Sequence, residues 1–474
     1  MVKRMNNIGQ IIKETGNSDD IIIREIMFKD KTLNIVFNET LSSGNFICEY
    51  IMKGIINANV ENTTIEELIN IIPTNSVNLI NNINDALDYL YKGFAIILIE
   101  DNYYIAIEAK ANLDKGISDA TSEVSIIGPK EAFTENLAKN IGLIRKRIRS
   151  RNLYVESTIL GKESNTKISI CYMNNIIDKK LLENVRNKIN EINIDNVMDS
   201  GFISEVITDK NSLFPTINMT ERPDLVTFAL LEGKIAIVVD NTPYVLIIPT
   251  FFTDLFHTPD DYYQKNVNTT FARILRLITF LASILLPAYY ISITTHNSSS
   301  IPITLLVNFT SQKMGVPFPA FIEVILMIIA FEILRESDIR IPSKTGTSIS
   351  ILGGLILGDA AVNAGLISPI MIIVTSLSAI SAMVFTNNSL INAIRYYRII
   401  NILIATFFGI YGIFIGISLL IIKLSNMESF GFPYLAPISP IITEELDDSF
   451  IKTKSKIPNK RNPLLAKKNI IRGK

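Results

Sequence analysis

Four polar residues stand inside two runs, 318–334 and 348–367, that are otherwise free of charge: Glu323, Glu332, Asp359 and Asn363. A carboxylate inside a bilayer is costly, roughly 2.5 kcal/mol or more on insertion scales, so it faces a partner, a cavity or water and marks ion or substrate paths. Glu323 and Glu332 share one apolar run and are nine positions apart, which is about 180° around a helix of 3.6 residues per turn. They cannot line one narrow surface of an unbroken helix. Glu332 has Arg335 three positions on, so one reading has it snorkel to the interface and pair there, and the other leaves it in a path. Glu323 has no such neighbour and reads as facing water. Asp359 and Asn363 lie among Gly353, Gly354, Gly358, Ala360, Ala361, Ala364 and Gly365. Small residues let helices pack closely, and they equally suit a discontinuous segment that lines a pore or site. Both readings stand.

Other chemistry is poorly supplied. The sequence has no nucleotide-binding loop, zinc pattern or catalytic triad, and its histidines are His257 and His296 alone. Its two cysteines, Cys48 and Cys171, lie about a hundred residues apart and form no metal cluster or disulfide framework. No catalytic residue, cofactor or metal is expected, and enzymatic activity has no positive support. A net charge of -1 gives no reason to expect nucleic acid as a partner. The N-terminal Lys3 and Arg4 are not followed by an apolar core, so no signal peptide is read there, and the soluble part is expected to stay in the cytoplasm.

The elements that position these residues fall into two chemically distinct parts. Hydrophobic residues make up 48% of the 474, and mean hydropathy is +0.30, too high for a soluble chain and too low for an all-membrane one. Before residue 270 charges recur every few positions; beyond it come long runs without them. We read residues 1–150 as a soluble α/β subdomain, 151–265 as a second, 266–425 as a helical transmembrane domain and 426–474 as a basic tail. In the first subdomain, 21–26 and 33–37 read as strands, 46–55 as helix, and 95–100 with 103–108 as a hairpin. Thr63 and Thr64 are candidate helix caps. In the second, 154–160 and 167–172 read as strands, 178–192 as an amphipathic helix, and 234–239 with 244–248 as a hairpin. The basic cluster Arg145, Lys146, Arg147, Arg149 and Arg151 reads as a solvated helix face or a binding patch between the two.

About 20 apolar residues are needed to span a bilayer. Runs at 277–295, 318–334, 348–367, 369–385 and 399–422 qualify, within a count of about four to six, while 301–309 is short enough to be re-entrant or interfacial. The last run is the longest and cleanest. Arg273 and Arg276 before the first run, Arg335, Arg340 and Lys344 after the second, and Arg395 and Arg398 before the last set the soluble domain and these loops on the cytoplasmic side. Five crossings put the basic tail outside, against the same rule. Either 432–442 dips back or one short run does not cross. The aromatic residues Phe251, Phe252, Phe256, Tyr262, Tyr263 and Phe271 suit rings at headgroup level, and the tail suits anionic membrane lipid.

Several blocks together resemble the A subunit of the GerA-type spore germinant receptors over about 120–445. They are Gly128-Pro129-Lys130-Glu131-Ala132-Phe133, Glu221-Arg222-Pro223-Asp224, the run from Leu231 to Asp240 with Thr242-Pro243, and Asp260-Asp261-Tyr262-Tyr263. Farther on come Leu286-Pro287-Ala288, Pro317-Phe318-Pro319, Phe331-Glu332-Ile333-Leu334-Arg335-Glu336 and Gly358-Asp359-Ala360-Ala361. The family more often has Glu at the position of Asp359 and Arg at that of Ile127. The resemblance implies a two-part cytoplasmic domain and a membrane domain in the spore inner membrane. It also implies a permease-like B subunit and a lipoprotein C subunit as partners, and self-assembly into an oligomeric, pentameric, ligand-gated ion channel. On that reading Glu323, Asp359, Asn363 and Glu332 are the candidates to line or gate a cation pathway. The rivals are a secondary transporter with its own site at the glycine-rich break and a non-conducting signalling scaffold.

Overall fold

In a computed structural model the described residues are 2–28, 31–57, 69, 72–74, 76–98, 103–113, 120, 122–123, 125–208, 212–340, 358–446, 449–452, 460–467 and 469–472. The helix start at Thr63 and Thr64, the tip of the hairpin at 99–102, Gly353, Gly354, Lys344 and the first half of the 348–367 run lie outside them.

Alternation of apolar residues builds two sheets in succession. The first takes β1 (Ile21–Phe28), β2 (Lys31–Asn38), β3 (Val77–Ile80), β4 (Phe94–Leu98) and β5 (Tyr104–Glu108) in the order β1-β2-β4-β5-β3, all antiparallel. One face buries Ile35, Ile97, Ile105 and Ile107 against Ile47, Ile51 and Ile55 of a helical run over 44–56. The other packs Val36, Ile96 and Ala106 on α1 (Val2–Glu14) and α2 (Ile83–Leu90). The period of two along each strand sends successive side chains to opposite faces, so one sheet serves two cores.

The second sheet repeats the plan. β6 (Leu153–Leu160), β7 (Thr166–Met173), β8 (Asn218–Thr220), β9 (Ile235–Val239) and β10 (Val245–Ile248) pair antiparallel in the order β6-β7-β9-β10-β8. Ile168, Ile170 and Tyr172 face α4 (Lys179–Asn190) and α5 (Ser200–Ile207), while Cys171 and Met173 face α3 (Leu137–Arg147) and α6 (Pro223–Leu231). Cys171 is buried and Cys48 exposed, and both are free thiols.

Two expectations change here. Arg145 does not belong to a solvated face: it is 0% exposed and pairs with Asp20 at 2.8 Å, while Lys146 and Arg147 pair with Glu131. The described end of the basic tail, 460–467 and 469–472, is not a lipid-facing extension. Leu465 and Ala466 are fully buried in the two cores of the second sheet, Lys467 pairs with Asp178 at 2.5 Å, Arg472 with Glu232, and Arg461 donates to the Leu231 carbonyl at 2.8 Å. Nor does 432–442 dip away. Phe432 and Ile442 join the same core, and Tyr434 accepts from the Phe252 N–H and donates to the Pro215 carbonyl, at 2.9 and 2.8 Å. The sequence pattern sees a run of lysines; the apolar residues between them decide where the segment packs.

The helical part begins with α7 (Asn266–Ile291) and continues through α8 (Ile303–Lys313), α9 (Ala320–Arg340), α10 (Pro369–Ala382) and α11 (Asn388–Asn426). The run at 301–309 becomes α8, which buries none of its residues. Among the described residues two helices, 266–296 and 388–426, are long and apolar enough to cross a membrane. The second is not one rod. Gly409 has φ 60 and ψ -138, outside any helical region. A Cβ on Gly412 would stand 2.5 Å from the Ile404 carbonyl oxygen, and one on Gly416 would strike the Asn401 side chain. In a straight helix, eight residues are about 12 Å apart. α11 is therefore a helical hairpin: an outgoing arm over 388–408, a reversal at Gly409, and a returning arm over 410–426.

Packing confirms the reversal. Leu390, Ile394 and Tyr397 of the outgoing arm cluster with Leu420 and Leu424 of the returning arm, beside Phe252 and Phe256 of the soluble domain. Ile402, Ala405 and Ile413 cluster instead at the opposite end with Ala288, Ala320 and Met371. We call these the near and far ends. The single span expected at 399–422 is thus two arms, and the tail returns to the soluble domain because of it.

Candidate functional site

The joint between the soluble domain and the bundle is built from two acidic-aromatic blocks of the sequence. Asp261, at the end of the short segment 259–262, accepts from Arg276 at 2.8 and 2.9 Å and from Arg273 Nε at 3.1 Å. Arg273 is 0% exposed and also donates to the Ser449 carbonyl at 3.0 Å. Burial pushes the Asp261 carboxyl up, but the hydrogen bonds and charges of Arg276 and then Arg273 overrule it, and the net shift is downward. Asp260 accepts from Ser125 Oγ at 2.7 Å and from the Ile127 N–H at 3.1 Å. Tyr263 donates to Asp224 at 2.8 Å, and Asp224 in turn holds Arg222. Glu123, bonded to Thr220 and the Glu221 N–H, is pushed up to about 7 mainly by burial.

Most of these rings and acids are therefore not headgroup anchors, as their composition suggests; Phe271, 70% exposed on α7, still fits that reading. Phe251, Phe252 and Phe256 are buried, the last two against Phe280. Sequence reasoning missed the joint because Asp260-Asp261-Tyr262-Tyr263 and Glu221-Arg222-Pro223-Asp224 are far apart in the chain. The signal was their shared surplus of unpaired charge beside aromatic residues.

One prediction follows from the joint. Because the folded carboxyl of Asp261 titrates lower than the unfolded one, its contribution is complete above the ordinary carboxylate range and is lost as pH falls through the lowered value. Asp261→Asn leaves two buried or half-buried guanidinium groups short of their anion, costing about 3–5 kcal/mol at neutral pH. Thermal melts of the purified chain from pH 7 down to pH 3 should show a lower midpoint at neutral pH and a flatter acid limb. An unchanged midpoint would discard this assignment.

Inside the bundle the four polar candidates separate. Glu323, in the first turn of α9, is 0% exposed; one carboxylate oxygen accepts from the Ser368 N–H at 2.9 Å, and the other has no partner. Ser368 is the N-cap of α10 and Pro369 its first residue. Glu323 thus sits on the positive end of a helix whose unsatisfied N–H it completes, rather than facing water. Glu332 does not pair with Arg335 along its own helix. It bridges to the outgoing arm of α11, with Arg398 at 2.7 Å and with Arg395. Asp359 and Asn363, four residues apart within the helical residues 358–363, are both exposed, as are Ala360 and Ala364. The structure brings these two onto one outward face and holds both glutamates apart from it. Among the described residues no group of three or more His, Cys, Asp or Glu side chains is arranged to hold a metal ion.

Comparison with known proteins is consistent along nearly the whole chain. The family model described as the Bacillus/Clostridium GerA spore germination protein matches residues 9–464. The chain belongs to the GerA family. Among its GerA-family relatives, spore germination protein KA of Bacillus subtilis (strain 168) is 35% identical over 474 residues, covering 98% of this chain and 87% of that protein. The uncharacterized membrane protein YfkQ of the same organism is 32% identical over 451 residues, 94% and 88% of the two chains. The N-terminal domain of the A subunit of the Bacillus megaterium spore germinant receptor GerK3, a crystal structure, is 30% identical and covers 52% of this GerA-family chain and 94% of that one, with a TM-score of 0.42.

Proposed function

We propose that this chain is the A subunit of a nutrient-gated receptor in the spore inner membrane, and that several copies enclose a cation pathway lined by Asp359 and Asn363. The observation that carries the reading is the outward face of the 358–364 segment. It offers a carboxylate, an amide and two alanines where a lipid-facing surface offers large apolar side chains. A carboxylate in hydrocarbon needs water or a partner, and among the described residues of one copy no side chain pairs with Asp359. Surrounded by the same face of further copies, it becomes a polar, acidic wall that favours cations over anions. Glu323 takes a positioning role at the start of α10, and Glu332 ties α9 to α11.

The topology fits a receptor whose soluble domain lies in the cytoplasm. α7 leaves from the near end and α11, after its reversal, finishes at the near end, so the chain crosses an even number of times. Both the soluble domain and the C-terminal segment then lie on one side, where Arg273, Arg276, Arg335, Arg395 and Arg398 also gather. The permease-like B subunit and the lipoprotein C subunit are the partners of this reading, and nutrient binding there biases an open–closed equilibrium here.

The test is potassium efflux from liposomes holding the complete receptor. With germinant present, Asp359→Asn should lower cation efflux about tenfold, and Asp359→Lys should abolish it, an effect of at least about 1.4 kcal/mol on the barrier. Glu323→Gln should affect folding yield more than cation selectivity. Efflux unchanged by both Asp359 variants would remove this face from the pathway.

A further inference from the structure

Three arginines at the near end of the bundle carry more positive charge than the described carboxylates around them answer. Arg395 and Arg398, on the outgoing arm of α11, share the single carboxylate of Glu332. Arg335, one turn along α9 from Glu332, lies within Coulombic range of Glu332, Arg395 and Arg398. Among the described side chains no carboxylate forms a close ion pair with it. Glu332 and Glu336 are the described carboxylates that act on Arg335, so two carboxylates face three guanidinium groups.

The cluster is also short of acceptors. Arg398 is 4% exposed, yet its Nε has no hydrogen-bond partner, and neither has the Nε of Arg395. Arg395 otherwise reaches only the Asn392 amide oxygen, at 3.2 Å, besides Glu332. A buried donor left unmade costs about 1–3 kcal/mol, and more when it is charged. An anion with several oxygens, presented between α9 and α11, would satisfy both Nε groups and the surplus charge at once. Guanidinium forks match phosphate oxygens in pairs, which lysine cannot do.

The surroundings identify the source of that anion. On the far-end side of the arginines the exposed side chains are apolar: Ile329 and Ile333 on α9, Ile399 and Ile400 on α11. Beside them Tyr396 is 56% exposed, a ring of the amphipathic kind that sits at headgroup depth. A charged head against the arginines and an apolar body along the isoleucines is the shape of a lipid. Basic pockets between helices on the cytoplasmic side are suited to anionic headgroups.

We propose that Arg335, Arg395 and Arg398 bind the phosphate of an anionic phospholipid between α9 and α11, on the soluble-domain side. The site takes from the functional reading only that the bundle lies in a bilayer; it needs neither conduction nor germinant.

Native mass spectrometry of the full chain in detergent tests it, with phosphatidylglycerol, phosphatidylcholine or inorganic phosphate added separately. Phosphatidylglycerol should be retained about tenfold over phosphatidylcholine. Arg335→Gln with Arg395→Gln should reduce that preference to about twofold, because Arg398 and Glu332 then neutralise each other. Glu332→Gln works in the opposite direction and should raise retention. It keeps the test decisive if the double variant fails to fold. Equal retention of the two lipids, a preference indifferent to these variants, or inorganic phosphate that binds while neither lipid is favoured would each overturn the lipid site, the last assigning it to a free anion. Carbonate-resistant membrane association, measured on the same preparations, separates failure of this site from failure of the bilayer reading.

Discussion

Replacing Gly416 with Leu, or Gly412 with Val, should leave little folded protein in the membrane fraction. The returning arm of α11 lies against the outgoing one with no room for a side chain at either position. At Gly412 a Cβ would press on backbone, 2.5 Å from the Ile404 oxygen and 3.0 Å from Ala405 Cα, so no rotamer can relieve it. At Gly416 it would strike Asn401, which is 1% exposed and donates to the Tyr397 carbonyl at 2.8 Å, so it is already committed. Close approach through small residues is how helices associate where lipid removes the hydrophobic drive. Forcing these arms apart opens the contact for its whole length. Inserting bulk into a packed core costs about 1–3 kcal/mol and more where backbone must move, and here the near-end cluster of Leu420 and Leu424 with Leu390 and Ile394 goes with it. Gly416→Ala should be intermediate. Size-exclusion profiles and melting of the detergent-purified chain measure the effect. A Gly416→Leu protein with wild-type yield and midpoint would mean that the arms do not pack face to face.

That hairpin also shows where the sequence was legible and where it was not. Strands 153–160 and 166–173, the helix over 179–190 and the hairpin 235–248 follow apolar periodicity to within a residue or two, because each was decided by local alternation and turn residues. The reversal at Gly409 leaves no mark of this kind. Its neighbours Phe407, Phe408, Ile410 and Tyr411 are as apolar as any spanning residue, so hydropathy runs straight through the turn. Only the spacing of Gly409, Gly412 and Gly416 hinted at it, and glycines in membrane helices usually signal helix packing alone. The site divides similarly. That acids stand within apolar runs was readable from composition. Which way Glu323 and Glu332 point depends on partners 45 and 66 residues away, Ser368 and Arg398. The position of the tail was misread for the same reason: Leu465 and Ala466 count as two apolar residues in a basic run until the sheet that buries them is assembled.

The two α/β subdomains need a rigid relation if a change in one is to reach the bundle, and a single buried ion pair supplies much of it. Asp20 stands just before β1 of the first sheet, and Arg145 lies in α3, packed on the second. They meet in two parallel bonds, Nε to Oδ2 at 2.8 Å and Nη2 to Oδ1 at 2.9 Å, with side chains 3% and 0% exposed. Asn38 donates to Asp20 at 2.8 Å, and Ser18 donates to it at 2.7 Å while accepting from the Val155 N–H of β6 at 2.9 Å. Tyr91 lies under the guanidinium at 5.0 Å. Removing one member strands the other charge in this interior. Arg145→Ala or Asp20→Ala should therefore cost about 3–5 kcal/mol, whereas replacing both with apolar residues of similar volume should cost far less. The difference between those outcomes is the informative quantity, since it isolates the stranded charge from lost packing. We expect urea unfolding of the soluble domain to change from one transition to two in Arg145→Ala, the first subdomain melting earlier, because the bond network that joins Ser18, Asp20 and Val155 is the bridge between sheets. Spores carrying the variant should retain receptor protein at reduced level and germinate more slowly in nutrient. A single, unshifted unfolding transition in Arg145→Ala would show that the two sheets are held together by something other than this pair.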